Sequence, residues 1–177
     1  VNEKYRVWHD ACHMDDAQMA PAHNHIDGYD QRAGLSKYKA GEIVPGVNIG
    51  GWHDAGDYGK YTVAGSKAAA DLLLAYERNP KAFSDDSGIP ESGNGIPDIL
   101  DEAAWGVKHL LAVQQENGGV GTWFETTGHP GPGEGLPNQD PRTYYVSAPS
   151  RNGTLEYAAA VSTLALAMKK AGRTSEM

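Results

Sequence analysis

Two stretches rich in glycine and proline, residues 84–95 and 118–153, most constrain what this chain can fold into. The second is far longer than the connections of a compact helical bundle, and loops of that length are binding loops or disorder. Its aromatic residues, Trp123, Phe124, Tyr144 and Tyr145, favour binding. The segments between the loops carry a helical period instead. Residues 58–78 place Ala64, Ala68, Leu72 and Ala75 on one face and Lys67 and Asp71 on another, and Asn79-Pro80 ends the run. A second helix is expected from Gly95-Ile96-Pro97, with Pro97 in the first turn, where its missing N–H costs nothing. Asp98, Asp101 and Glu102 then stand at the positive end of the helix dipole, Ile99, Ala103, Val107, Leu110 and Leu111 form the apolar face, and Gly118-Gly119 stops the helix. Residues 154–170 carry two apolar stripes, Leu155, Ala159, Ser162, Leu166 and Tyr157, Val161, Leu164, Met168, so this helix is expected between neighbours. No strand pattern is strong and no internal repeat is evident. The expected class is mainly α with long functional loops.

Composition narrows the function. With 177 residues, 40% hydrophobic and 21% charged, the chain has material for one domain with a real core. A net charge of −8 argues against a nucleic-acid grip, which needs clustered Lys and Arg, and is compatible with a neutral substrate. There is no apolar run long enough to span a membrane, and Val1-Asn2-Glu3-Lys4 lacks a signal peptide's basic-then-apolar start, as a mature secreted protein or an excised piece would. The single cysteine, Cys12, excludes an internal disulfide and leaves the compartment open.

The densest chemical signal is Gly50-Gly51-Trp52-His53-Asp54-Ala55-Gly56-Asp57-Tyr58-Gly59-Lys60-Tyr61. Asp54 and Asp57 flank a flexible Ala-Gly just before a helix, where both can point to one side and hold a water between them. An ionised carboxylate can deprotonate such a water, and paired like charges raise one pKa. The alternative is an Asp N-cap with a solvated partner. The neighbouring Trp52 and tyrosines weigh toward a sugar site, since sugar rings pack on aromatic faces. A second run, Pro90-Glu91-Ser92-Gly93-Asn94-Gly95-Ile96-Pro97-Asp98-Ile99-Leu100-Asp101-Glu102, reads as a turn and a capped helix, with architecture its simplest role. A third signal is Cys12-His13 with His23 and His25. A thiolate and imidazoles within so short a stretch suit a tetrahedral zinc site, although three protein ligands fall one short of a closed one. A buried Cys with surface histidines is the other reading.

The run of residues 50–61, the run of 89–102, and Gly118-Gly119-Val120 with Leu136-Pro137-Asn138-Gln139-Asp140 together resemble glycoside hydrolase family nine. The similarity spans roughly residues 8–172 and is closest to the bacterial cellulase branch whose catalytic domain follows an immunoglobulin-like module. It implies that residues 1–177 are the N-terminal portion of a single (α/α)6-barrel catalytic domain, acting on β-1,4-glucan with inversion at the anomeric centre. By the same resemblance Asp57 is the catalytic base and Asp54 the partner that holds the attacking water. Trp52, Tyr58 and Trp123 are then expected to contact substrate, and Cys12, His13 and His25 (or His23) to ligate a structural zinc whose remaining cysteine lies upstream of Val1. Calcium is expected elsewhere in the domain. The general acid, a His/Arg substrate clamp and the other barrel helices are expected outside this chain, and a secreted or periplasmic setting follows. The sequence departs from the branch at Gly121-Thr122-Trp123-Phe124-Glu125, where a Tyr-His-Lys segment is usual, and at Asn152-Gly153-Thr154-Leu155-Glu156.

Overall fold

The computed structural model describes residues 9–21, 36–131 and 133–172. Among the described residues, three α-helices carry most of the regular secondary structure: α1 (Thr62–Arg78), α2 (Asp98–Ala112) and α3 (Arg151–Lys170). The segments before and between them carry short strands, which sequence periodicity did not reveal. These are β1 (Ala17–Met19), β2 (Ile43–Val44), β3 (Lys60–Tyr61), β4 (Val120–Gly121), β5 (Trp123–Glu125), β6 (Tyr145–Val146) and β7 (Pro149–Ser150). Strands of two or three residues are too short for an alternating pattern to register. Five of them form one sheet in the order β2-β1-β6-β5-β3, in which only β1 and β6 run parallel, while β4 and β7 pair separately. The chain is thus helical with a small sheet formed from its loops, not helical with structureless loops.

The first helix begins later than its periodicity suggests, for two reasons. Lys60 and Tyr61 pair with Phe124 and Trp123. Tyr58 has φ 60°, which a right-handed helix cannot hold. Its buried face is Thr62, Ser66, Ala69, Leu73 and Tyr76, whereas Ala64, Ala68 and Ala75 face solvent and Leu72 is half-buried. Alanine costs little on either side of a helix, so Leu73 and Tyr76 set its rotation. Helix α2 stops at Ala112, short of the Gly pair, because the chain turns there: Gln115 N–H donates to Gly119 O at 2.9 Å. Ala103, Val107 and Leu110 are buried as expected, while Leu111 is exposed. Helix α3 starts three residues earlier than its apolar period, where the Ser150 hydroxyl accepts from Gly153 N–H at 2.9 Å as a cap.

The three helices pack on one another through Leu73, Tyr76, Leu100, Ala103, Ala167 and Met168, and through Ala69, Val107, Leu110 and Ala160. A separate core of Ala17, Met19, Val44, Val47, Val120, Phe124 and Val146 supports the sheet. Of the two stripes on α3, that of Tyr157, Val161, Leu164 and Met168 faces this protein interior. The other remains outside, with Leu155 62% and Leu166 61% exposed.

Candidate active site and metal centre

The turn preceding β3 is fastened to α2. Gly51 N–H donates to Trp105 O (2.9 Å) and Trp105 Nε1 returns to Gly51 O (3.0 Å). Gly51 has φ 76°, and a Cβ there would lie 2.7 Å from His109 Cβ, so only glycine fits. Trp52 lays its ring over Gly106, where an added Cβ would meet the indole at 2.1 Å, and its Nε1 donates to Glu102 Oε1 at 2.6 Å. Lys60, 4% exposed, donates through Nζ to Gly50 O (2.7 Å) and Asn48 O (2.9 Å), and burial lowers its pKa to about 8.

Within this frame Asp54 N–H donates to Gly59 O at 2.8 Å, closing the loop that carries both aspartates. Asp54 is exposed. Asp57 is not an N-cap, since Tyr61 occupies that position of α1. Its side chain is 15% exposed, with Oδ1 accepting from Gly59 N–H (3.3 Å) and Oδ2 lying 3.5 Å from both Tyr61 Oη and His129 Nδ1. The carboxylate is therefore held by a backbone amide, a phenol and an imidazole. Behind it stands Glu125, 1% exposed, which accepts from the Tyr61 hydroxyl and lies 3.0 Å from His129 Nδ1. Tyr61, Glu125 and His129 were not among the expected site residues. The one sequence hint was a glutamate closing a strand-length apolar run.

The aromatic residues take different parts. Tyr58 is half-buried and donates its hydroxyl to Gly135 O at 2.7 Å, tying the aspartate-bearing turn to the long loop. Trp52 is half-buried, with its ring engaged against α2. Trp123, expected to contact substrate, is 6% exposed within β5, where it pairs with Tyr61.

Cys12 and His13 do come together with a third ligand-bearing side chain, but that residue is His53. His13 Nε2 lies 3.0 Å and Cys12 Sγ 3.5 Å from His53 Nε2. His25 and His23 lie outside the described residues. Burial, then the nearby Lys60, lowers the pKa of His13 to about 3 and that of His53 to about 4, while burial raises that of Cys12. Both imidazoles are thus neutral at pH 7 and able to offer lone pairs. Two ring nitrogens facing each other beside a thiol make a soft N,N,S donor set that fits zinc. His13 holds φ 52°, an uncommon conformation that aims its ring at this point. A cleft of about 350 Å³ adjoins it, lined by Cys12, His13, Asp140, Arg142 and Tyr144, and does not include Asp54 or Asp57. Elsewhere Asp85, Asp98 and Asp101 converge at the start of α2 as an oxygen-only set, the donor type that suits a hard cation.

The profile of glycosyl hydrolase family 9 matches residues 2–176. Endoglucanase C of Cellulomonas fimi is 37% identical over 119 residues, which cover 62% of this chain and 11% of that protein. A metagenome-derived family 9 endoglucanase superposes with a TM-score of 0.70 at 35% identity, covering 93% of this chain and 30% of the other. A zinc-binding triple mutant of the family 9 endoglucanase J30 gives 0.66 at 29% identity over 95% of this chain and 32% of its own. The chain belongs to glycosyl hydrolase family 9. It spans about a tenth of the length of the first of these relatives and about a third of the solved structures.

Proposed function

We propose that the protein to which these residues belong hydrolyses β-1,4-glucan with inversion, and that this chain supplies the base side of the site. The observation that carries the reading is the Asp57 carboxylate, mostly buried yet held by Gly59 N–H, Tyr61 and His129, in the same closed turn as the exposed Asp54. As water attacks the anomeric carbon, Asp57 takes its proton and Asp54 fixes its position. The glycosidic bond breaks with its electron pair on the leaving oxygen, which is protonated by an acid contributed from outside these residues, about 6.5–9.5 Å from the base. Tyr58 and Trp52 border this turn on the substrate side. The three helices form part of an (α/α)6 barrel, and further helices of that barrel cover the exposed stripe of α3. A polymeric substrate cannot enter a cell, which favours a secreted or periplasmic enzyme.

The test is kinetic. In the full-length protein on a soluble β-glucan, Asp57→Asn lowers turnover about 10²–10⁴-fold with substrate binding largely retained. Near-normal turnover for Asp57→Asn ends the assignment, and a larger loss at Asp54→Asn exchanges the two roles. Cys12, His13 and His53 would hold zinc as a structural ion that ties the catalytic turn to the segment before β1. Metal analysis of wild type against Cys12→Ser and His53→Ala should show zinc lost in both variants, and equal zinc in all three proteins rules the site out.

A further inference from the structure

We propose that Glu125 is a positioning residue for Asp57, acting through Tyr61 and His129; this rests on the assignment of Asp57 as base. Glu125 closes β5 after Trp123 and Phe124, and all three are buried. A carboxylate buried among apolar side chains is costly unless it is paired. The pairing here leads to one place. The Tyr61 hydroxyl donates to Glu125 and lies 3.5 Å from Asp57 Oδ2. His129 Nδ1 lies 3.0 Å from Glu125 Oε1 and 3.5 Å from Asp57 Oδ2. A third link runs through Gly59, whose N–H donates to Asp57 Oδ1: a Cβ on that glycine would lie 3.5 Å from Glu125 Oε1, so the Glu125 carboxylate lies against the backbone that carries the donor. Two of the three groups that hold Asp57, Tyr61 and His129, are themselves in contact with Glu125.

The chemistry follows from that arrangement. The Tyr61 proton has two carboxylates to choose between, and its orientation toward Glu125 fixes the phenol oxygen beside Asp57. His129 is 52% exposed, yet its Nδ1 sits between the two carboxylates, so its ring orientation is set from the buried side. Asp57 must keep its attack geometry to within a fraction of an ångström, because misplacement of about 1 Å costs on the order of 10²-fold in rate. The charged and titratable groups around the base are Asp54 and Tyr58 on its own turn, Tyr61 on β3, Glu125 on β5, His129 on the following loop, and His53, which feels the Asp57 charge. Lys60 is directed elsewhere, to the Asn48 and Gly50 carbonyls.

Three variants of the full-length enzyme test this: Glu125→Gln, Glu125→Asp and Tyr61→Phe, with the double variant of Glu125→Gln and Tyr61→Phe. The expected result for Glu125→Gln is a fall in kcat of about 10–100-fold with KM unchanged and the pH–rate profile displaced. Glu125→Asp restores part of the rate, and the double variant is no worse than the poorer single one, as for residues acting in series. Additive losses, a KM effect alone, or no loss overturn the proposal. Crystal structures of wild type and Glu125→Gln provide a readout that needs no activity: the Asp57 carboxylate turns away from Tyr61 in the variant. An unmoved Asp57 overturns the proposal even if Asp57 is the base, whereas full activity of Asp57→Asn overturns the base assignment and leaves the structural result standing.

Discussion

His109 is 3% exposed, and burial, with Lys60 nearby, lowers its pKa to about 3 from an ordinary 6.5. Its titration gives stability a direction with pH. Above 6.5 the ring is neutral in both folded and unfolded chains. Between 6.5 and 3 only the unfolded chain takes up the proton, so stability falls as pH falls, by up to about 1.4 kcal/mol per pH unit well below 6.5. Urea melts from pH 7 to pH 4 should show this loss, to which His13 and His53 add with the same sign, and His109→Gln should make it shallower by its own share; an equally steep loss in the variant assigns the effect to the other groups. The residue scale also shows what the sequence could not reveal. Asp54 and Asp57 stand out as candidates in the sequence because they lie in a compact motif with flanking glycines and an aromatic. Cys12 and His13 stand out as adjacent side chains able to ligate a soft metal. His53 lies inside the same motif, but its partners Cys12 and His13 are brought to it by the fold and not by spacing. Glu125 and His129 were hidden for a similar reason: each gains meaning only when β5 lies beside β3.

At the scale of elements, the turn that carries Asp54 and Asp57 is bonded to α2 through Gly51 and Trp52. Trp52 and Gly106 are the closest joint, with the indole occupying the space of the missing Cβ. Gly106→Ala forces either the tryptophan or the helix to shift, and should destabilise the protein by about 1–3 kcal/mol despite alanine's better helix propensity. Thermal melts check the stability loss. Because Trp52 leads directly to Asp54 and Asp57, turnover should fall as well; retained stability would mean that the indole has another place to go. The helices themselves were legible to within a few residues from periodicity and from Pro97. Their rotation was less so for α1, whose alanine-rich surface gives little contrast between faces, and the short strands were not legible at all.

For the whole molecule, the contrast between the two faces of α3 gives a prediction. Leu155 and Leu166 stand on the stripe left outside, and an apolar stripe on a surface promotes association. Replacing both with lysine should raise the solubility of the 177-residue chain and reduce self-association in sedimentation, without lowering its melting temperature. In the full-length protein the same pair should destabilise, since a barrel helix would lie against them. No change in the full-length protein would remove that helix from the proposal. The order of the five-stranded sheet has a consequence for how the protein is made. The strand at Tyr145–Val146 lies between the strand at Ala17–Met19 and the one at Trp123–Glu125, and it joins them. During translation the strand at Ala17–Met19 emerges from the ribosome long before the strand that links it to Trp123–Glu125. The nascent chain therefore cannot seat the Cys12 segment against the rest of the sheet until Val146 has cleared the exit tunnel.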